Sequence, residues 1–134
     1  MAQHEIVIVA AKRTPIGSML GSLSSLSAPE LGAISHQAVL EQSGIQPEQI
    51  DEVISGCVLQ AGIGQAPARQ AAILANIPDK AGATTINKMC GSGMKAVMLA
   101  HDLIQAGSAQ IILAGGMESM SNAPYLMQKA RSGY

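Results

Sequence analysis

The chain has 134 residues and a net charge of −1, and only 13 % of its residues are charged. With this charge balance the chain has no positive electrostatic potential to attract nucleic acid or an anionic membrane. No apolar run approaches the ~20 residues of a membrane-spanning helix. Two cysteines do not make a disulfide framework, so we expect a reducing, cytoplasmic setting.

The first part of the chain predicts a strand, a loop and a helix. Residues 5–10 are β-branched and typical of a strand buried on both faces of a sheet. Residues 18–27 are rich in Ser and Gly, which indicates a loop. Ser27 and Glu30 form a capping-box pattern, which predicts a helix that ends before Gly44.

The inner face of this helix is predicted to include Leu31, Ile34 and Ala38, which follow helical spacing. His36 is expected at the surface or at a cap, because polar residue types are usually exposed.

Three further strands alternate with two helices in the rest of the chain. The strands are predicted at 50–59, 83–87 and 111–114, and the helices at 68–74 and 93–106. The last helix is apolar almost all round, which predicts burial between layers. Cys57 lies inside the strand 50–59 and is expected to fill the core. The alternation favours a mostly parallel sheet in an α/β fold.

Cys90 lies between a predicted strand and the helix that follows it, in the stretch NKMCGSGMKA. Free N–H groups and the positive end of the dipole at a helix start favour a thiolate, which is the nucleophilic form. Gly91 and Gly93 allow a sharp turn and close approach of a substrate. The N–H of Cys90 could stabilise an oxyanion. The pattern therefore resembles a nucleophile elbow with Cys in place of Ser.

Two other interpretations of this stretch stay open. Cys90 also fits a buried structural thiol, since inert buried Cys is common. The segment 91–96 formally matches the dinucleotide pattern G-x-G-x-x-A. That pattern needs an acid after the next strand, where Glu118 comes late.

No base for the thiol is evident. His4 precedes the first predicted strand, and His101 lies more than two helical turns after Cys90 on the same helix. His36 cannot be placed near the thiol from sequence, and no Cys/His spacing resembles a zinc site.

Four segments, taken in chain order, resemble the thiolase family. They are VAAKRTPIG at 9–17, GQAPARQA at 64–71, INKMCGSGMKA at 86–96 and AGGMESMS at 114–121. The resemblance covers nearly the whole chain. It implies a thiolase-like α/β fold with a mostly parallel sheet and a buried helix after the nucleophile strand. Residues 1–134 would form an incomplete N-terminal domain, with the loop domain and the C-terminal half absent.

The resemblance implies acyl transfer between CoA thioesters through an acetyl-cysteine at Cys90. Two acetyl-CoA would condense to acetoacetyl-CoA and CoA, or the reverse thiolysis would occur. No metal or bound cofactor is implied, because coenzyme A enters as part of the substrate. Thiolases pair through the strand before the nucleophile, here 84–87, so a homodimer or homotetramer is expected for the complete enzyme.

Only Cys90 is carried over from the family as a catalytic residue. The activating histidine and second cysteine of thiolases lie in their C-terminal half, and those motifs do not occur in this sequence. Gln65, Arg69 and Glu118 lie in family motifs and are interpreted as turn and interface hydrogen-bonding residues. Two other hypotheses stay open: a non-catalytic fragment that only assembles with a partner, and another Claisen-condensing enzyme of the superfamily.

Overall fold

Helices and parallel strands alternate along the chain in a computed structural model that describes residues 5–133. The helices are α1 (Ala28–Ser43), α2 (Pro67–Leu74) and α3 (Ser92–Gln105), and the strands are β1 (Glu52–Gly56), β2 (Gly82–Ile86) and β3 (Ile112–Gly116). Short 3₁₀ turns lie at Pro47–Gln49, Met120–Asn122 and Ala130–Ser132. Among residues 5–133, no helix has the length and apolar character needed to cross a membrane.

The three strands form one parallel sheet in the order β2-β1-β3, which confirms the predicted α/β class. Successive side chains of the central strand β1 point to opposite faces. Val53 packs into the core formed with α1 and α2, while Gly56 meets the start of α3. The sheet is therefore covered by α1 and α2 on one face and by α3 on the other.

The capping box of α1 forms as predicted. The Ser27 hydroxyl accepts from the N–H of Glu30 (3.4 Å), and the Glu30 carboxylate accepts from the N–H of Ser27 (2.7 Å). Gly44 ends the helix in a left-handed conformation with φ 71° and donates to the Leu40 carbonyl. Local sequence therefore determines both ends of this helix.

The buried face of α1 differs from the predicted one. Ile34 is 46 % exposed, whereas Gly32, Ala33 and His36 are buried. A Cβ at Gly32 would lie 3.2 Å from the Cβ of Ala71, so α1 and α2 cross at close range. Small residues permit this approach, and hydrophobic periodicity alone does not detect it. The expectation that His36 lies at the surface is wrong, because this crossing leaves it 5 % exposed.

The strand predicted at 5–10 is absent. This segment has no regular secondary structure, and the side chains of Val7, Ile8 and Val9 are solvent-exposed, with Ile8 at 79 %. A strand needs hydrogen bonds from a neighbouring strand, and no strand among residues 5–133 pairs with this segment.

The predicted burial of the helix after Cys90 holds on one face only. Ser92, Ala96 and Ala100 of α3 are buried against the sheet, while Met94 is 75 % exposed. Within the described residues, α3 packs mainly on β1 and β3. Its outer face therefore has no second layer over it there.

The start of α3 lies directly on the carboxyl ends of two strands, and glycines make this possible. A Cβ at Gly56 would lie 2.6 Å from the Cβ of Ser92 and 2.8 Å from the backbone N of Gly93. A Cβ at Gly116 would lie 3.3 Å from the Cα of Gly93. Both distances to Gly56 are shorter than real Cβ contacts, so this residue must remain glycine for α3 to begin here.

We expect Gly56→Ala to lower the free energy of unfolding by about 2 kcal/mol, because overpacking of a filled site costs ~1–3 kcal/mol. Gly115→Ala is the matched control on the neighbouring strand, where an added Cβ meets no atom within 4 Å. Urea unfolding of both variants measures the difference. Equal stabilities would show that the first turn of α3 moves away at little cost.

His36 makes stability depend on pH. Burial lowers its pKa from 6.5 to about 4, against a smaller raising effect of its hydrogen bond to the Ala71 backbone. The unfolded chain therefore binds a proton that the folded chain excludes. Stability is present above pH 6.5 and is lost as the pH falls from there towards about 4. The total loss is up to about 3 kcal/mol.

Urea unfolding at about pH 7 and about pH 5 tests this dependence, since Glu30 and Asp51 have lowered carboxyl pKa values and titrate below that range. His36→Gln should remove most of the pH slope, and His101→Gln, which changes an exposed histidine, should retain it. An unchanged slope in His36→Gln would contradict the assignment.

Candidate active site

Cys90 lies in a tight turn between the end of β2 and the first residue of α3. The N–H of Gly91 donates to the Lys88 carbonyl (3.0 Å), and the N–H of Met89 donates to the side-chain oxygen of Asn87 (2.9 Å). Met89 has a φ of 49°, a left-handed conformation that is uncommon outside glycine. The sharp turn is therefore present as predicted, but Met89 rather than Gly91 (φ −91°) adopts the strained conformation.

The buried side chain of Ser92 stabilises this turn by hydrogen bonds to its backbone. Its hydroxyl accepts from the N–H of Lys88 (2.8 Å) and donates to the carbonyl of Met89 (2.6 Å), and the residue is only 4 % exposed. Ser92 was not among the site residues predicted from the sequence. A serine directly before the predicted helix 93–106, at a position where serine hydroxyls often bond the backbone, is the signal that was available.

The thiol of Cys90 is exposed and lines an open cleft of about 550 Å³. The cleft lies where β1 and β3 end, so it occupies the edge at which open α/β sheets bind their ligands. Its other linings include Gly56, Gly93 and Gly116, together with Leu59 and several methionine side chains. A substrate can therefore approach both the thiol and the backbone around it.

Cys57, the other cysteine, is fully buried and chemically quiet. Burial raises its thiol pKa to about 12, with a further contribution from the negative charge of Glu118, whose oxygen lies 3.6 Å from the sulfur. The thiolate is the reactive form. This agrees with the expected role of Cys57 as core filler, and it distinguishes Cys57 from the exposed Cys90.

Glu118 also lies at the cleft, but its carboxylate is engaged by the protein. It accepts from the N–H groups of Val58 and Leu59, both at 2.9 Å. The carboxylate thereby joins the segment after β1 to the segment after β3. This hydrogen bonding favours the interpretation of Glu118 as a structural residue over a ribose-binding acid of a dinucleotide site.

The other two motif residues likewise take part in local hydrogen bonds. Arg69 donates to the Ala81 carbonyl (2.7 Å), and the carbonyl of Gln65 accepts from the Gln70 side chain (2.8 Å). Neither lines the Cys90 cleft.

No histidine lines the cleft among residues 5–133. His36 is buried between α1 and α2, and His101 is exposed beside Asp102 (3.2 Å). His4 lies outside the described residues. The described part of the chain also holds no cluster of His, Cys, Asp and Glu suited to a metal ion. Within the described residues, the site therefore presents an accessible thiol with no histidine beside it.

A comparison of the sequence with known protein families agrees with this geometry. The family model "Thiolase, N-terminal domain" matches residues 6–134. The chain belongs to the thiolase family. This confirms the resemblance seen in the four sequence segments.

Individual relatives of this thiolase chain match almost all of it. An acetyl-CoA acetyltransferase of Cupriavidus necator is 55 % identical over 97 % of the chain and 33 % of the relative. A mitochondrial acetyl-CoA acetyltransferase of Bos taurus is 53 % identical over 98 % of the chain and 31 % of the relative. The chain therefore spans about a third of the length of these relatives.

A solved thiolase has the same fold. The crystal structure of a thiolase from Ascaris suum in complex with coenzyme A superposes with a TM-score of 0.87 and 44 % sequence identity. The match covers 90 % of this thiolase chain and 32 % of the Ascaris chain.

We expect iodoacetamide to modify Cys90 in the folded thiolase chain and to leave Cys57 unmodified. Cys90 is exposed, whereas Cys57 is buried with a pKa of about 12. Peptide mapping by mass spectrometry measures both sites, and labelling in urea provides the control in which both thiols are accessible. Equal labelling of both cysteines in the folded chain would refute the distinction between them.

Proposed function

We propose that Cys90 is the nucleophile of an acetyl-CoA acetyltransferase, which moves an acyl group between CoA thioesters by way of an acetyl-cysteine. The observation that supports this most directly is an exposed thiol at the start of α3, facing an open cleft at the carboxyl edge of the sheet. The names of the relatives from Cupriavidus necator and Bos taurus support the same reaction. Coenzyme A is the group common to both substrates and is bound in the Ascaris suum thiolase.

In the first step the sulfur of Cys90 attacks the carbonyl carbon of acetyl-CoA. The carbonyl oxygen becomes negative in the tetrahedral intermediate, and the N–H of Cys90 donates to it. The bond to the CoA sulfur then breaks, and the proton lost by Cys90 ends on that sulfur. One thioester replaces another, so little free energy separates reactants from products.

In the second step another acetyl-CoA loses a proton from its methyl carbon. That carbon attacks the acetyl-cysteine, the bond to the Cys90 sulfur breaks, and the proton returns to this sulfur. The products are acetoacetyl-CoA and free enzyme, and the reverse sequence is thiolysis. Coenzyme A enters as part of the substrate, and the proposal needs no further cofactor.

We also propose that the complete enzyme is a homo-oligomer, a homodimer or homotetramer, that pairs through β2. This strand lies at one side of the sheet, and its outer edge has no strand partner among the described residues. Unpaired edge strands are suited to pairing with a second chain. The two free thiols fit a reducing compartment, for which we propose the cytoplasm.

Exposure of the purified chain to acetyl-CoA, followed by intact-mass analysis and peptide mapping, tests the proposed nucleophile. We expect one acetyl group, on Cys90. Cys90→Ser should abolish it, because the nucleophile is lost, and the control Cys57→Ser should leave it unchanged. Acetyl on Cys57, or none on a Cys90 that still reacts with iodoacetamide, would contradict catalysis of the first step by this chain.

A further inference from the structure

Ser92 acts on the same peptide group that carries the N–H of Cys90. The carbonyl of Met89 and the N–H of Cys90 belong to one peptide unit, and no peptide bond among residues 5–133 is cis. In a planar trans peptide the C=O and the N–H point in opposite directions. Whatever fixes the Met89 carbonyl therefore fixes the direction of the Cys90 N–H.

Two donors from Ser92 hold that carbonyl. Its hydroxyl lies 2.6 Å and its backbone N lies 3.1 Å from the Met89 oxygen. The same hydroxyl accepts from the N–H of Lys88 at 2.8 Å, so it contacts the backbone on both sides of Met89. None of these hydrogen bonds uses the N–H of Cys90.

The position of Ser92 itself is firmly set. It is buried, and its Cβ lies where Gly56 leaves room for it on β1. Met89 adopts its left-handed conformation (φ 49°) although it is not a glycine, and such a conformation persists only where the surroundings enforce it. The hydroxyl of Ser92 is the side-chain group that bridges this strained residue.

We propose that Ser92 is a positioning residue that aims the N–H of Cys90 into the cleft as the oxyanion donor. The inference rests on the proposed acyl transfer, and it adds a residue that acts through the backbone of the nucleophile. In Ser92→Ala one of the two donors to the Met89 carbonyl is lost, and the N–H of Lys88 loses its acceptor. The peptide between Met89 and Cys90 is then held only by the backbone N–H at position 92, so its orientation is less restricted.

Two reactions of the same thiol separate this role from a general structural one. Acetylation by acetyl-CoA develops negative charge on a carbonyl oxygen and depends on the oxyanion donor. Alkylation by iodoacetamide displaces iodide and forms no oxyanion, so it reports only access to the thiol and its thiolate fraction. The ratio of the two rates at Cys90 therefore measures how well the N–H is aimed.

Ser43→Ala is the matched control. The Ser43 hydroxyl also donates to the carbonyl three residues earlier (Leu40, 3.1 Å) and accepts from a nearby backbone N–H (Ile45, 3.2 Å). It lies at the end of α1 and does not line the Cys90 cleft. The two variants lose the same kinds of hydrogen bond. Comparing their melting temperatures therefore shows how much stability is lost with such hydrogen bonds alone.

We expect Ser92→Ala to lower the acetylation rate by about 10-fold or more, since loss of an oxyanion donor costs ~100- to 1,000-fold. The alkylation rate and its pH profile should stay close to those of the unmodified chain, and Ser43→Ala should leave both reactions unchanged. Equal losses in acetylation and alkylation, or no loss in either, would overturn the positioning role. If the unmodified chain is alkylated but not acetylated, the proposed function fails first, and the role of Ser92 fails with it.

A measurement on the unmodified chain applies even where Ser92→Ala does not fold. Amide hydrogen exchange should be slow at Lys88, whose N–H is bonded to Ser92, and fast at Cys90, whose N–H is aimed at the open cleft. Protection of Cys90 equal to that of Lys88 would overturn the proposal.

Discussion

The contact between the first turn of α3 and the ends of two strands determines where the reactive thiol lies. Gly56 and Gly116 leave no side chain between the strand ends and Gly93, so the helix begins at the carboxyl edge of the sheet. The chain must then travel from the end of β2 to this point in only a few residues. That constraint produces the tight turn at 87–91, and the turn presents Cys90 to the cleft.

The two cysteines lie near the same edge of the sheet but differ in exposure and reactivity. Cys57 continues the buried side of β1, and Glu118 approaches it closely enough to add negative charge to the cost of burial, which keeps its thiol protonated. Cys90 is carried beyond the strand ends by the turn and remains exposed. Two identical side chains therefore differ in chemistry because one belongs to the sheet and the other to the loop beyond it.

Sequence predicted the parts of the fold that local signals determine. The caps of α1 and the alternating order of strands and helices needed only neighbouring residues. The buried His36 and the exposed Ile34 could not be predicted, because both follow from the close approach of α1 to Ala71 of a different helix. Likewise, the pattern around Cys90 predicted its turn. The strained conformation of Met89 and the hydrogen bonds of the Ser92 hydroxyl could not be predicted, because both depend on how the turn packs on β1.

The two steps of the proposed reaction differ in the proton transfer that each requires. The described residues account for the first step but not for the second. In the first step a thiol replaces a thiol, so the departing CoA sulfur accepts the proton that Cys90 gives up. In the second step a methyl carbon, a far weaker acid than a thiol, must lose a proton, and this requires a positioned base. Among residues 5–133 no histidine lines the cleft, and the Glu118 carboxylate is bound by two N–H groups. In the proposed reaction, the described residues therefore provide the nucleophile of the first step, and none of the histidines among them is placed to act as the base of the second.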